Sequence, residues 1–359
     1  MSPIRTDGDT VLVITARDSD TGDAVTLALQ DLGVRTVRFD LADLGRTVSV
    51  SARCDGGQWQ GLLTVRSRAT RLRDVRSVFW CHPTPPRVWV DGMTEAQTQW
   101  ASQEALAGLA GVLGTLGCLH VNHPSDTRRA QIKAGVVAAA ERAGLTVPPT
   151  WIGSLPSGAR RFNLGSPDGI VTKTLTVPQI AEGDHHVRPL YTTPVVDSDL
   201  DAVATGITHL QHRVLTDYAV RAHTIGTRTI AVRIDAHTTA GRTDWRATPE
   251  SLTYTPITLP TAVEDALNAL VQGYGLSYAA SDLLVDSHGR WYFVDLNPAG
   301  QYRWLENELP DLGITQALAQ LLAGDPERPR RNGLTAAAQQ LTSNRTHSAH
   351  RQKGIRWQT

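Results

Sequence analysis

The chain opens with a short apolar run, Thr10 to Ala16 (TVLVITA), followed by the polar stretch RDSDTGD, an amphipathic segment from Ala24 to Leu32 closed by Gly33, and a second apolar run, VRTVRFD. That order predicts strand, loop, helix, strand, the start of an α/β layer with a parallel sheet. Asp18, Asp20 and Asp23 in the first loop read as residues at a helix N-terminus, where carboxylates meet the positive end of the peptide dipoles. Alternation from Thr47 to Arg66 around Asp55-Gly56-Gly57 predicts a hairpin, and Ser77 to Trp80 a further buried strand. Cys81 to Pro86 then breaks regular structure, because its prolines sustain neither a ladder nor a helix. Adjacent side chains on an extended chain point to opposite sides, so Cys81 and His82 do not read as a nucleophile and its base.

The Ala/Leu/Gly-rich pattern from Glu95 to Leu116 predicts a long helix, and Leu119 to Pro124 a strand and turn, at which a first domain, residues 1–123, ends. Asp126 to Ala143 reads as a second helix carrying Lys133, leaving through Gly144 into the proline-fixed GLTVPPT. A strand at Gly169 to Thr174 holds Lys173, as an edge charge or as a phosphate contact. Thr176 to Pro194 lacks periodicity and reads as a mobile loop, within which the adjacent His185 and His186 do not converge on one ion as a helical i, i+4 pair does. Residues 124–196 form a second unit and 197–325 a third. The third has strands at Ile207 to Val214 and Tyr218 to Asp235, the latter turning at Gly226-Thr227, with the sheet ending at Thr243 to Arg246. Helices follow at Ala262 to Tyr274 and Pro310 to Leu322, and residues 326–359, polar and Arg-rich, read as a disordered tail.

The stretch Ser281 to Tyr302 carries the candidate chemistry. LLV and WYFV predict two strands, and His288-Gly289 a two-residue loop. If Ser287 pairs with Arg290, Asp282 lies opposite Asp295, and Asn297 shares the face of Asp295. Two carboxylates and a carboxamide oxygen make a hard donor set suited to Mg²⁺. The same pattern fits an exposed hairpin whose outer face is simply polar, and a three-residue loop would shift the register by one and separate the carboxylates.

Composition narrows the class. At 359 residues, 41% hydrophobic and 19% charged, the chain is long enough for two or three globular units. Lys+Arg and Asp+Glu are 35 each, so no net field favours nucleic acid or an anionic membrane. The start MSPIRTDGDT lacks a basic-then-apolar signal pattern and no apolar run is long enough to span a bilayer, so a cytoplasmic location is expected, without nucleic-acid or membrane partners. Cys54, Cys81 and Cys118 are too widely spaced for a disulfide framework or a zinc motif. Of the 35 basic residues only Lys133, Lys173 and Lys353 are lysines. A retained lysine is therefore singled out, since a compact ammonium and a planar guanidinium are not interchangeable at a crowded phosphate.

Taken in order, Lys133 before GLTVPPT, Lys173 on a strand, LQHRV, AVRAHTIGTRTIAVRID, DWR, SDLL and FVDLNPAGQY resemble the glutathione-synthetase-like ATP-grasp ligases. The segments HVNHP, YTTPV, DWR and NPAGQYRW look like the actinobacterial branch of the graspetide synthetases, the microviridin-type macrocyclases that staple ribosomal peptides, and the likeness covers about residues 10 to 325. The resemblance implies an α/β (α+β ATP-grasp) fold, an N-terminal parallel α/β domain followed by two ATP-grasp subdomains clasping ATP. It puts Lys133 and Lys173 at the phosphates, the backbone of Gln211, His212, Arg213 and Val214 at adenine, and Mg²⁺ on Asp282, Asp295 and Asn297. Arg233 and Arg246, with Asp244, would serve the γ-phosphate and the acyl phosphate it becomes, and Thr176 to Pro194 would be the lid. Departures fall at His212, where the family's hinge usually has a glutamate for the ribose, at Ala219, which leaves Arg221 without its expected acidic neighbour, at Cys81-His82, in place of a more basic pair, and at Asp295, in place of a glutamate.

In such enzymes a precursor-peptide Asp or Glu becomes an acyl phosphate, attacked by a Ser/Thr hydroxyl or a Lys amine. The partner implied is a precursor with leader and core, the leader adding to an edge near Asp244 to Arg246 and ATPESLTYTPI. A homodimer is compatible with the family. The alternatives are a ligase joining a small carboxylate to an amine and a catalytically weak peptide-binding partner.

Overall fold

The computed structural model describes residues 8–182 and 186–324. The tip of the expected lid, the histidine at 185 included, and the expected tail from 326 lie outside the described residues.

The first layer comprises β1 (Thr10–Thr15), α1 (Asp20–Asp31), β2 (Arg35–Phe39), β3 (Val48–Asp55), β4 (Gln58–Val65), β5 (Arg68–Arg71), β6 (Val75–Cys81), α2 (Glu95–Gly114) and β7 (Leu119–Val121). Every residue of β1 is buried, which requires cover on both faces of its sheet. That sheet is parallel, in the order β2-β1-β6-β7. Val25 and Leu29 of α1 cover one face, while Leu109 and Leu113 of α2 cover the other with Val48 and Leu63 of the antiparallel β3-β4-β5 sheet. Ser19 caps α1, its Oγ accepting from the Gly22 N–H at 3.0 Å. Asp20 and Asp23 stand in the first turn.

The second layer comprises α3 (Pro124–Ala130), α4 (Lys133–Arg142), β8 (Thr150–Gly153), α5 (Pro156–Leu164), β9 (Ile170–Lys173), β10 (Gln179–Glu182), β11 (His186–Pro189), β12 (Thr193–Val195) and β13 (Thr208–His212). The single helix expected from Asp126 to Ala143 is thus two. On a continuous helix Ala130 and Val136 would point to different faces; the break sends both into one core and places Lys133 in the first turn of α4. The expected irregular loop from Thr176 to Pro194 contains an antiparallel ribbon of β10 and β11. An antiparallel sheet, β12-β9-β13-β8, forms the wall of this layer.

The third layer comprises β14 (Thr216–Ile225), β15 (Arg228–Ala236), α6 (Thr239–Thr243), β16 (Leu252–Ile257), α7 (Thr261–Gly273), β17 (Tyr278–Asp286), β18 (Trp291–Asn297), α8 (Arg303–Glu308) and α9 (Ile314–Ala323). Its antiparallel sheet runs β16-β15-β14-β17-β18, so the sheet does not end at Thr243 to Arg246 but gains an edge strand beyond them. One face packs on α4 and α7 through Val220, Leu283 and Phe293. At the far end of the other face, Ile225, Ile230 and Val232 join Val11, Val13 and the apolar side of α9. Asn122 is the clamp at this seam. Its amide donates to the carbonyls of Tyr278 (2.6 Å) and Pro298 (2.7 Å), and its Oδ1 accepts from the N–H groups of Ser277 (2.7 Å) and Tyr278 (3.0 Å). No helix among the described residues is long and apolar enough to cross a membrane.

Candidate active site

The β17–β18 hairpin brings Asp282 opposite Asp295 by a route that alternation alone does not show. Its loop has three residues, Ser287 to Gly289, between Asp286 and Arg290, whose backbones bond at 3.1 Å, with Gly289 at φ 75°. Val285 pairs with Trp291 and Leu283 with Phe293, a register one residue off that of a two-residue loop. A bulge then takes up Val294, and Asp282 meets Asp295. The cause is packing. Phe293 and Leu296 both enter the core formed with α4 and α7, whereas strict alternation would bury Asp295 on the face of Phe293. The extra residue keeps both apolar side chains inward and turns Asp295 to the cleft.

Arg221 stands opposite Asp282 on the other side, its Nη1 donating to Oδ1 at 2.8 Å. Arg221, Asp282 and Asp295 therefore form one cross-strand row, and Asn297, opposite Ala280, lies in the next row of that face. The acidic neighbour missing at Ala219 is supplied across the ladder. Asn297 Oδ1 accepts from the Ala299 N–H at 3.0 Å, which fixes the amide and leaves an acceptor lone pair. Gly300 is demanded by close approach: a Cβ there would collide with Ala280 and stand 2.8 Å from Arg221 Nη2. Among the described residues no group of three or more His, Cys, Asp and Glu could hold a metal, so a cation here would rest on the two carboxylates, Asn297 and oxygens of its ligand.

The row opens into a cleft of about 840 Å³, counting its solvent-open mouth, between the sheets of the second and third layers. Lys173, Gln211 to Val214, Asp244, Arg246, Asp282 and Asp295 all line it. Lys173 Nζ donates to the carbonyl of the bulged Val294 at 2.7 Å. Burial pushes its ammonium down, opposed by Asp295 and reinforced by Lys133. Lys133 Nζ donates to Asp295 Oδ1. Burial alone would raise the Asp295 carboxyl, but Lys133 and Lys173, with Arg246, hold it below the ordinary value.

Asp244 and Arg246 form a fork. Arg246 Nε donates to Oδ1 at 2.8 Å and Nη2 to Oδ2 at 2.6 Å, while the Thr192 N–H reaches Oδ2 at 2.8 Å. Burial, the largest single influence, favours the neutral acid, yet the bond and charge of Arg246 together with the N–H groups of Thr192 and Arg246 outweigh it and hold Asp244 below the usual carboxylate range. Asp244 thus orients Arg246 and ties it to the segment that follows β11.

Arg233 is not brought to this cleft. It pairs across the ladder with Val220, on the face that packs on α7, where its guanidinium lies 3.8 Å from the Tyr218 ring centroid and donates to Asp235. The opposite face of these strands alternates with it: Ala219 pairs with Ile234, both lining the cleft, and Arg221 with Val232. At the hinge, the His212 and Arg213 N–H groups already donate to the carbonyls of Pro149 (2.9 Å) and Gly169 (3.0 Å), and the His212 ring packs on Phe162 at 4.6 Å. Cys81 is buried, its thiol pushed up by that burial, and His82 turns away at φ 48° to the Ala299 carbonyl at 2.7 Å. Arg221 and Asn122 received no role from the sequence. A buried arginine within an apolar strand was the available signal for the first; the second lies in the HVNHP segment that carries part of the resemblance, which marked the stretch but not the asparagine's role.

Comparison with known proteins places the fold in a class. Residues 10–128 match the family described as the MvdD pre-ATP grasp domain, and none of the curated proteins matches the chain in sequence. The whole architecture is that of an ATP-grasp ligase. A ligase of this kind from Chryseobacterium gregarium, RiPP-associated and in complex with ADP and a leader and core peptide, superposes with a TM-score of 0.81 at 24% identity, over 90% of this chain and 99% of that one. The macrocyclase MdnC from Microcystis aeruginosa MRC, bound with precursor peptide MdnA, gives 0.75 at 25% identity, over 87% and 99%. The ATP-grasp ligase PsnB, complexed with a phosphomimetic variant of its minimal precursor, Mg and ADP, gives 0.67 at 20% identity, over 89% and 98%.

Proposed function

We propose that this protein is an ATP-dependent, Mg²⁺-requiring ligase that closes rings in a ribosomally made precursor peptide. The observation that carries the reading is the cleft itself. It joins the row of Asp282 and Asp295 to Lys173 and Arg246, with Lys133 paired to Asp295, in a fold shared with ligases bound to ADP and peptides. The donor set is all oxygen and suits Mg²⁺. When bound on Asp282, Asp295 and Asn297, the cation would neutralise charge on the transferring phosphoryl group. The protein's own groups do the rest. Lys133 and Lys173 draw the phosphates to the Asp295 side of the cleft. Arg246, held by Asp244, faces the charge that develops as a peptide carboxylate oxygen attacks the γ-phosphorus and ADP leaves. A Ser/Thr hydroxyl or Lys amine of the same peptide then attacks the acyl carbon, phosphate departs, the nucleophile's proton passes to solvent or phosphate, and an ester or amide closes the ring. No protein nucleophile is needed; positioning and charge stabilisation supply the acceleration.

The free edge of β16 is the place we assign to the leader, whose backbone would extend the sheet. The unpaired thiols of Cys54, Cys81 and Cys118 fit a reducing cytoplasm. The test is intact-mass analysis of a precursor peptide encoded beside the gene, incubated with the protein, ATP and Mg²⁺. Loss of one water per ring, absent without ATP, is expected. ATP consumption only when small acids and amines are supplied would replace this reading with a small-molecule ligase.

A further inference from the structure

β13 carries His209 directly opposite Lys173 of β9 and on the face of Gln211, which lines the cleft. The residue is 4% exposed, and neither ring nitrogen has a hydrogen-bond partner among the described residues. Folded proteins rarely leave such a group orphaned, because water has been given up and nothing replaces it. His209 lines a second cavity of about 550 Å³, measured with its mouth, and Lys173, Arg246 and Asp295 line both cavities. Lys133 completes the charged lining of the second. Lys133 and Arg246 are offset by Asp295 and Asp244, and Lys173 is left as the cation of the lining without a carboxylate paired to it among the described residues, which favours an anionic occupant. Burial, then Lys173 and Lys133, press the imidazole down to about 4, against weaker upward pulls from the Thr174 backbone and then from Asp295. At neutral pH the ring is therefore uncharged, with one N–H to donate.

We propose that His209 is a nucleotide-binding residue whose ring N–H donates to a phosphate oxygen in the space between Lys133, Lys173 and Arg246. This rests on the reading of the cleft as an ATP site and extends it to a side chain that the sequence did not single out. The ligand chemistry is a phosphate anion continuous with the adenine-bearing cleft. A peptide carboxylate in the same cavity is the competing occupant.

The test uses calorimetry on the full chain with two probes, ADP with Mg²⁺ and adenosine, for wild type, His209→Leu and His209→Gln. For His209→Leu the affinity for ADP falls about tenfold, the loss of one hydrogen bond to a charged group, while adenosine is unaffected. His209→Gln, which keeps an N–H donor, recovers part of the loss. The Tm of the ligand-free His209→Leu protein is unchanged or raised, since an orphaned polar group has been replaced by an apolar one. Wild type that fails to bind ADP overturns the nucleotide reading and this inference with it. Wild type that binds ADP, with His209→Leu binding it equally well, overturns the role of His209 alone. A lowered Tm with both probes weakened alike marks a structural histidine and also overturns it. So does unchanged ADP binding with weakened precursor-peptide binding.

Discussion

The two walls of the cleft treat their polar groups in opposite ways. On the five-stranded sheet and its flanks the charges around the carboxylate row are paired: Arg221 with Asp282 at 2.8 Å, Lys133 with Asp295, Arg246 with Asp244 at 2.6 Å. On the four-stranded sheet Lys173 finds only the Val294 carbonyl, and His209 finds nothing among the described residues. Desolvating a charge is tolerated when a partner is held in place by the same fold, so the paired wall is set before any ligand arrives. On the function proposed above, the first wall would hold the donors for a cation, and the second would gain its partners from the phosphates of the nucleotide.

The sharpest way to break that contrast is Asp295→Asn, which leaves Lys133 and Lys173 facing each other without a carboxylate. ATP-dependent product formation should fall by about two orders of magnitude or more, followed by intact mass; turnover at the wild-type rate would remove Asp295 from the metal site. Asp244→Asn comes next. It keeps the shape but weakens the fork that orients Arg246, and kcat/KM should drop roughly tenfold to a hundredfold. Asp244 is held below its ordinary value, so its carboxylate adds stability that is present above the unfolded-state pKa and lost as pH falls through the lowered folded-state one. The wild-type Tm should therefore decline more steeply below about pH 4 than that of Asp244→Asn; parallel Tm curves would contradict the pairing. Smallest is Arg233→Ala, on the face turned from the cleft. Kinetics should stay within about twofold, with stability lowered by roughly 0.5–1 kcal/mol for the lost Tyr218 stacking. A tenfold loss of kcat/KM would return Arg233 to the site.

Much of this was legible from residue order. The apolar runs of the first layer, the turn at Gly226-Thr227 and the helix over Ala262 to Tyr274 follow from period and punctuation, and the elements form there. The opposition of Asp282 and Asp295 was legible too, though by a count that missed two compensating shifts: a loop longer by one residue and a bulge that restored the register. The bulge could not be counted in advance because its cause, the common burial of Phe293 and Leu296, needs α4 and α7 to be in place. The same holds for Lys133, where Ala130 and Val136 enter one core only if the helix breaks before it.

The sequence by itself determined which segments alternate, where they turn and which scarce residues bear oxygen or ammonium groups, because those are properties of neighbours along the chain. The tertiary structure alone decided which face of a strand meets the cleft. Arg221 and Arg233 lie on one stretch of alternating hairpin, and period two separates their faces without saying which is functional. The apolar cover of α4 and α7 claims the face of Arg233 and leaves that of Arg221, Asp282 and Asp295 to the ligand.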